Sequence, residues 1–143
     1  MYNDFIIRRN IIVEANEKFK EKQRICKSTS SEMNNNCDDW AQLDLEIIGQ
    51  KIKKIQFCAS GCALLLASCY LFEKILINKT IKEAQILLEN YEEMIKTQKI
   101  IPILEDLNAL FMVKSHPNRV ICIKLPLFLL QKQIENHENS QNS

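Results

Sequence analysis

Cysteine gives this 143-residue sequence most of its chemical potential, since it has six cysteines and only two histidines. Three cysteines stand beside loops at the ends of predicted elements: Cys37 in the polar run NCDD, Cys62 before an apolar helix, and Cys122 before the last apolar segment. Metal sites and reactive-thiol sites are commonly built at such positions, and thiolate sulfur suits zinc and iron. Asp39 would supply the fourth ligand that zinc prefers. No C-x-x-C pair is present, so spacing alone leaves this site open.

The other cysteines, Cys26, Cys58 and Cys69, are interpreted separately. Cys69 follows Cys62 by seven residues on one helix face, about 10.5 Å along the axis. A zinc–sulfur bond is only about 2.3 Å long, so the two cannot share one ion. Cys69 is therefore predicted to be a buried apolar residue. Cys58 is interpreted as a strand-end residue, with an auxiliary thiol near the site as the alternative, and Cys26 as an incidental loop residue.

The thiols are expected to be reduced and the protein to be cytoplasmic. The first 20 residues, MYNDFIIRRNIIVEANEKFK, lack the basic region, apolar core and small-residue cleavage site of a secretory signal. Three cysteines crowd into residues 58–69, unlike the distributed cysteines of a disulfide framework.

Charge and hydropathy argue against two classes of partner. The 19 basic and 18 acidic residues nearly balance, and no Lys/Arg cluster with interleaved aromatic residues occurs, so no nucleic-acid partner is expected. Residues 57–77 approach the length of a membrane span, but Glu73 and Lys74 interrupt them. The uncharged part, 57–72, falls short of the roughly 18 residues that a span needs. A buried helix is predicted instead, with no membrane partner.

The elements that must position these residues belong to the α+β class, a small antiparallel sheet packed against several helices. Residues 41–48 alternate polar and apolar side chains, which indicates a half-buried strand. Gly49 supplies a turn, and residues 51–57 alternate again, which predicts an antiparallel hairpin. The small polar residues 26–36 predict a loop.

Helical patterns occupy both sides of the hairpin. An N-terminal helix is predicted at about 2–20, and an apolar helix after Gly61. Thr80 and Glu83 form a capping box that starts the next helix. A short helix is predicted at 104–113 and a turn at 115–119. Because proline is tolerated in the first turn of a helix and not in its interior, the last helix is predicted to start near residues 124–126. The chain is interpreted as one domain, 1–134, with a core at 33–130 and a disordered polar tail at 135–143.

Taken together, residues 33–130 resemble the U-type iron–sulfur cluster assembly family, which has the NifU N-terminal/IscU-like fold. That family carries an Asn-Pro-x-Cys-Gly-Asp loop, a Phe before a Gly-Cys pair, an Ala-Ser pair in the next helix, and a third cysteine before the C-terminal helix. The matching residues in this chain are Cys37 and Asp39, Phe57, Gly61 and Cys62, Ala67 and Ser68, and Cys122.

The resemblance favours the SufU branch over the IscU branch, as a diverged member. An additional segment, TQKIIPILEDLNALFMV, precedes Cys122, and Arg119 lies three positions before that cysteine, where IscU-type chains have a histidine directly before it. The Cys-Gly-Asp triplet is Cys37-Asp38-Asp39 here, so either carboxylate is a candidate ligand. Ala59 replaces the first glycine of Gly-x-Gly-Cys. The family's His-Tyr-x-Asn-Pro element is missing around residues 14–19.

The resemblance implies zinc bound by Cys37, Asp39, Cys62 and Cys122, and sulfur accepted from the persulfide of a PLP-dependent cysteine desulfurase. Cys37 is the expected attacking thiolate. Arg119 is the other catalytic candidate, because a cation lowers the pKa of a nearby thiol; the alternative is a surface arginine. A scaffold that holds a nascent [2Fe–2S] cluster, or iron, and passes it to downstream assembly or acceptor proteins is the second hypothesis. A structural zinc adaptor module is the third.

Overall fold

The computed structural model describes residues 1–27, 31–33 and 39–141. Within these ranges, three antiparallel strands form one sheet in the order β1 (Ser31–Met33), β2 (Trp40–Ile48) and β3 (Lys51–Ser60). Four helices and two 3₁₀ helices accompany it in the same described residues: α1 (Phe5–Glu21), α2 (Ala63–Leu76), α3 (Ile81–Thr97), the 3₁₀ segments Pro102–Leu110 and Val113–Ser115, and α4 (Pro117–Gln141). The predicted α+β class is confirmed.

The β2–β3 hairpin forms where the alternating pattern predicts it. Ile48 pairs with Lys51, and the two residues between them, Gly49 and Gln50, both have positive φ (59° and 67°). Two such residues in a row match the twist of a tight hairpin. Strand β3 continues to Ser60, three residues past the predicted end. The prediction of a loop over 26–36 is wrong at Ser31–Met33, because the edge of β2 offers backbone partners to that segment.

Helix α2 lies at the centre of the packing and contacts α1, β3 and α4. Nine of its side chains are buried, which confirms the predicted buried helix. Among the described residues, no helix is long and apolar enough to cross a membrane. The capping box of α3 is confirmed as well: Glu83 N–H donates to the Thr80 hydroxyl at 3.1 Å, and Thr80 N–H donates to the Glu83 carboxylate at 3.0 Å.

The prediction for the last helix is wrong at both ends. Helix α4 starts at Pro117, which suits a first-turn position, and keeps Pro126 in its interior. Pro126 removes one backbone hydrogen bond, but it is buried in a helix that packs against α2 and β2, so packing offsets the loss. Residues 135–141 are helical rather than a disordered tail. Within this segment, Glu138 accepts a hydrogen bond from Gln85 of α3. Two turns earlier on α4, Gln131 donates a hydrogen bond to Glu92 of α3.

The expectation that all thiols are reduced is also wrong. Cys26 and Cys58 form a disulfide, with their Cα atoms 6.0 Å apart. Sequence spacing misses this pair because 32 positions separate the two residues and only the fold brings them together. Neither the interpretation of Cys26 as incidental nor that of Cys58 as a plain strand-end residue accounts for the bond.

Candidate metal centre

Three separate elements bring Asp39, Cys62 and Cys122 together. Asp39 immediately precedes β2, Cys62 is the residue that caps the N-terminus of α2, and Cys122 lies in the second turn of α4. One ligand atom from each, a carboxylate oxygen and two sulfurs, lies within 4.8 Å of the others. The fold therefore brings residues that are far apart in the sequence into one cluster.

Hydrogen bonds hold the Asp39 carboxylate between the two cysteines. The Cys122 thiol donates to Asp39 Oδ2 at 2.8 Å, and the Cys62 backbone N–H donates to the same oxygen at 3.4 Å. Cys122 is fully buried and Asp39 is 7% exposed, whereas Cys62 is half-buried. Among the described residues, the cluster is therefore closed at Cys122 and partly exposed at Cys62, the side that we call open.

The Asp39 carboxylate packs directly against the backbone of Gly61. A Cβ atom added to this glycine would lie 2.8 Å or less from all three carboxylate atoms of Asp39. Carbon and oxygen atoms that are not bonded normally stay about 3.5 Å apart or more, so only glycine admits the carboxylate here. The glycine of the Gly-Cys pair thus has a physical role that its sequence alone does not reveal.

The remaining predicted site residues lie differently. Cys37 and Asp38 fall outside the described residues. Asp39, the other candidate carboxylate, lies in the cluster. Arg119 is exposed in the first turn of α4, three positions before Cys122, and its side chain forms no hydrogen bond or ion pair with the described part of the chain. Its predicted catalytic role stays a prediction.

Cys69 is fully buried, which confirms its interpretation as an apolar residue. Burial raises the pKa of its thiol well above the ordinary value, and the nearby Glu73 carboxylate raises it further. The thiol is therefore protonated and chemically inert in the folded protein.

The donor set of the cluster fits a zinc or iron site. Two cysteine sulfurs and one carboxylate oxygen are the ligands that these ions accept, and ligands of one ion lie within about 4.6 Å of one another. The observed 4.8 Å spread needs only small side-chain movements to reach that range. Helix α2 also begins at the cluster, and the partial positive charge of a helix N-terminus stabilises anionic ligands.

Comparisons with known proteins point to one family. Residues 11–110 match the family described as NifU-like N terminal domain, a range that includes Asp39 and Cys62 and ends before Cys122. An uncharacterized protein of Mycoplasma pneumoniae is 31% identical over 108 residues, which is 74% of this chain and 76% of that protein. The iron-sulfur cluster assembly scaffold protein IscU of Streptococcus pyogenes serotype M1 is 29% identical over 112 residues, 76% of this chain and 70% of its own length.

Among solved structures, a putative iron-sulfur cluster assembly scaffold protein for the SUF system, from thermophilic Fervidobacterium islandicum, superposes with a TM-score of 0.74. It is 27% identical in sequence, and the match covers 85% of this chain and 91% of that one. The resemblance inferred from the motifs around Asp39, Cys62 and Cys122 is therefore confirmed at the level of the family. This chain belongs to the NifU-like N terminal domain family.

Proposed function

We propose that this protein acts in iron–sulfur cluster assembly as a zinc-bearing acceptor of persulfide sulfur from a cysteine desulfurase. The observation that carries the proposal is the convergence of Asp39, Cys62 and Cys122 within 4.8 Å. Cys62 comes from the N-terminus of α2, Cys122 from the second turn of α4 and Asp39 from the residue before β2, so the packing of these elements positions the three side chains. The scaffold proteins that this chain resembles provide the biological context.

Cys37 is the fourth ligand in this proposal. It precedes Asp39 by two residues, and two residues of chain reach at most about 7 Å, so a sulfur from Cys37 is within reach of the cluster. Bound zinc would keep the cysteine ligands deprotonated while shielding them from other reactions. Cys122 and Asp39 remain buried as fixed ligands, and Cys62 lines the open side.

The sulfur transfer is a thiol–disulfide type of exchange. The Cys37 thiolate attacks the outer sulfur of the persulfide on the desulfurase, and a new sulfur–sulfur bond forms on Cys37. The sulfur–sulfur bond of the desulfurase breaks, and its cysteine leaves as a thiolate. No net oxidation occurs, because one persulfide is consumed and one is formed. Arg119, one turn before Cys122 on α4, is the candidate cation for the persulfide charge.

A second candidate function is a scaffold for a nascent [2Fe–2S] cluster. It is favoured by the same donor set, since clusters are held by cysteine thiolates and the fourth ligand need not be cysteine. In this case the cluster is cargo, and Cys37, Asp39, Cys62 and Cys122 hold it until a downstream protein accepts it. The open side of the site at Cys62 would serve the release.

Metal and acid-labile sulfide analysis of anaerobically purified protein, combined with transfer of labelled sulfur from a desulfurase, distinguishes the candidates. We expect one zinc per chain without sulfide, and sulfur acceptance that is lost in Cys37→Ala. Cys69→Ala is the matched control, because it removes a thiol that is buried outside the cluster. Acceptance that survives Cys37→Ala contradicts the assignment of Cys37, and iron with equimolar sulfide favours the scaffold.

The structural zinc adaptor is tested by chelation. Removal of a structural zinc unfolds small domains that depend on it. Because this chain has a continuous core of buried residues from α1 to α4, we expect its circular dichroism to survive metal removal. Unfolding upon chelation would favour the adaptor instead.

A further inference from the structure

The Cys26–Cys58 disulfide is outside the ligand set of the candidate metal centre, and one of its cysteines lies on the strand that leads to Cys62. Cys58 is paired with Gln42 near the end of β3, four residues before Cys62. Cys26 belongs to the segment 22–27, which follows α1 and which we call the strap. The disulfide closes a loop in which 32 positions separate its ends, and that loop carries Cys37 and Asp39.

Contacts other than the disulfide also hold the strap. Arg24 is bound to the Glu73 carboxylate through two nitrogens, at 2.5 and 3.0 Å, and also donates to the Phe57 carbonyl. Two more hydrogen bonds follow: Gln56 Nε2 donates to the Ile25 carbonyl at 2.8 Å, and the backbone N–H of residue 27 donates to a carboxylate on β2 at 2.7 Å. We therefore expect both sulfurs to stay near each other when the disulfide is cleaved.

Two thiols held side by side re-form their bond as an intramolecular reaction, which is strongly favoured over the reaction of separate molecules. The structure thus provides for a cycle of reduction and oxidation in which the fold persists. A disulfide that alone held the strap would not allow such a cycle, because the strap would leave upon reduction.

A cavity of about 430 Å³ is lined in part by Cys58, which is itself 8% exposed. Its lining includes Cys58 and Gly61, the aromatic residues Phe19 and Trp40, the lysines Lys20 and Lys22, and Arg24, whose charge is paired with Glu73. None of the described residues that line it is acidic, and both lysines are exposed. This volume is typical of small-molecule sites, and the charges of the two lysines favour an anion.

We propose that Cys26 and Cys58 form a reversible disulfide that exchanges with an anionic low-molecular-weight thiol bound in this cavity. The thiolate of the small molecule attacks Cys58 Sγ, the Cys26–Cys58 bond breaks, and Cys26 leaves as a thiolate that takes up a proton. A second thiolate attacks the small molecule's sulfur in the mixed disulfide. Cys58 leaves as a thiolate and is protonated, and two small thiols are oxidised to their disulfide while the protein disulfide is reduced to two thiols. The reverse reaction, with the small disulfide as oxidant, restores the bond.

Glutathione in mixtures of its reduced and oxidised forms is the probe. The full chain is equilibrated in each mixture, free thiols are alkylated, and labels are counted by mass spectrometry. We expect two additional labels, at Cys26 and Cys58, to appear together as the mixture becomes reducing, with unchanged far-UV circular dichroism, and to disappear upon reoxidation. Brief reaction with glutathione is expected to trap the mixed disulfide at Cys58. Free thiols at Cys26 and Cys58 in every mixture or in none, or unfolding upon reduction, would overturn the proposal.

The anionic preference has its own control. The rate of reduction by glutathione is divided by the rate with 2-mercaptoethanol, which is neutral. We expect this ratio to fall about threefold to tenfold in the double variant Lys20→Gln/Lys22→Gln, because two attracting charges are lost. Lys82→Gln, an exposed lysine on α3, should leave the ratio unchanged. A ratio that is equal in all three proteins would show that the cavity does not select an anion and would refute that part of the proposal.

Discussion

Replacement of Gly61 by alanine tests whether the backbone next to Cys62 positions the Asp39 carboxylate for a metal. The Asp39 carboxylate occupies the space that a side chain at this position would need, because an added Cβ would lie 2.8 Å or less from each carboxylate atom. Non-bonded atoms rest at about 3.5–4.0 Å, so the carboxylate must recede by about 1 Å.

A displacement of that size is large compared with what a metal site tolerates, which is about 0.2 Å in a ligand bond. Asp39 would also lose its 2.8 Å hydrogen bond from Cys122 and its 3.4 Å contact with the Cys62 N–H. Loss of a residue that orients a ligand typically weakens metal affinity about 10–100-fold, or about 1.4–2.7 kcal/mol. Overpacking adds a destabilisation of the metal-free protein of about 1–3 kcal/mol.

Metal affinity is measured by competition with a chromophoric chelator, and ligand geometry by the visible spectrum of the cobalt-substituted protein. The free energy of unfolding of the metal-free protein is measured in urea. We expect Gly61→Ala to lower both quantities and to alter the cobalt spectrum.

Gly49→Ala separates the two effects. Gly49 has a φ of +59° in the hairpin turn, with nothing within 4 Å of an added Cβ. Alanine there costs about 1–2 kcal/mol from backbone strain alone and leaves Asp39 untouched. A Gly61→Ala protein that loses stability like Gly49→Ala, yet keeps the metal affinity and cobalt spectrum of the unaltered protein, would refute the positioning role.

Three further outcomes follow from contacts outside the cluster. Glu73→Gln should lower the free energy of unfolding in urea by about 3 kcal/mol, because Arg24 would keep a buried charge whose partner is weakened; a loss below about 0.5 kcal/mol would contradict this. Partial burial and the hydrogen bond to Asp106 raise the pKa of Tyr2 to about 12. The contribution of Tyr2 to the free energy of unfolding is therefore complete below pH 10 and is lost as the pH rises towards 12, and Tyr2→Phe should remove this pH dependence. Cys69 should resist iodoacetamide in the folded protein and react only in urea; labelling of the native protein at Cys69 would show that its burial is wrong.

Local patterns predicted the parts of the fold that local physics decides. The alternating hairpin and the Thr80–Glu83 capping box depend on residues close in sequence, and both are present. The start of α4 depends on more than local propensity. Proline inside a helix is unfavourable, but Pro126 lies in a buried helix face, and burial outweighs one missing hydrogen bond.

In the site, too, local sequence predicts some features and long-range packing decides the others. Cys62 and Cys122 were recognisable as element-end cysteines, and Asp39 as a carboxylate near one of them, but only the fold shows that the three meet. The pairing of Cys26 with Cys58 was not predicted because it depends on where the strap lies relative to β3. The ion pair between Arg24 of the strap and Glu73 of α2 helps to fix that position. A buried ion pair far apart in sequence leaves no local signal.

The arrangement around Asp39 bears on how the site works. A carboxylate that is 7% exposed would be costly to bury alone, but here it accepts hydrogen bonds from the Cys122 thiol and the Cys62 N–H. These contacts place the three described ligands within the packing of β2, α2 and α4. A structural zinc is also held by four protein ligands, so the ligand set does not separate the hypotheses. The continuous core of the domain and the partial exposure of Cys62 favour both proposed roles, sulfur acceptor and cluster scaffold, over a structural adaptor.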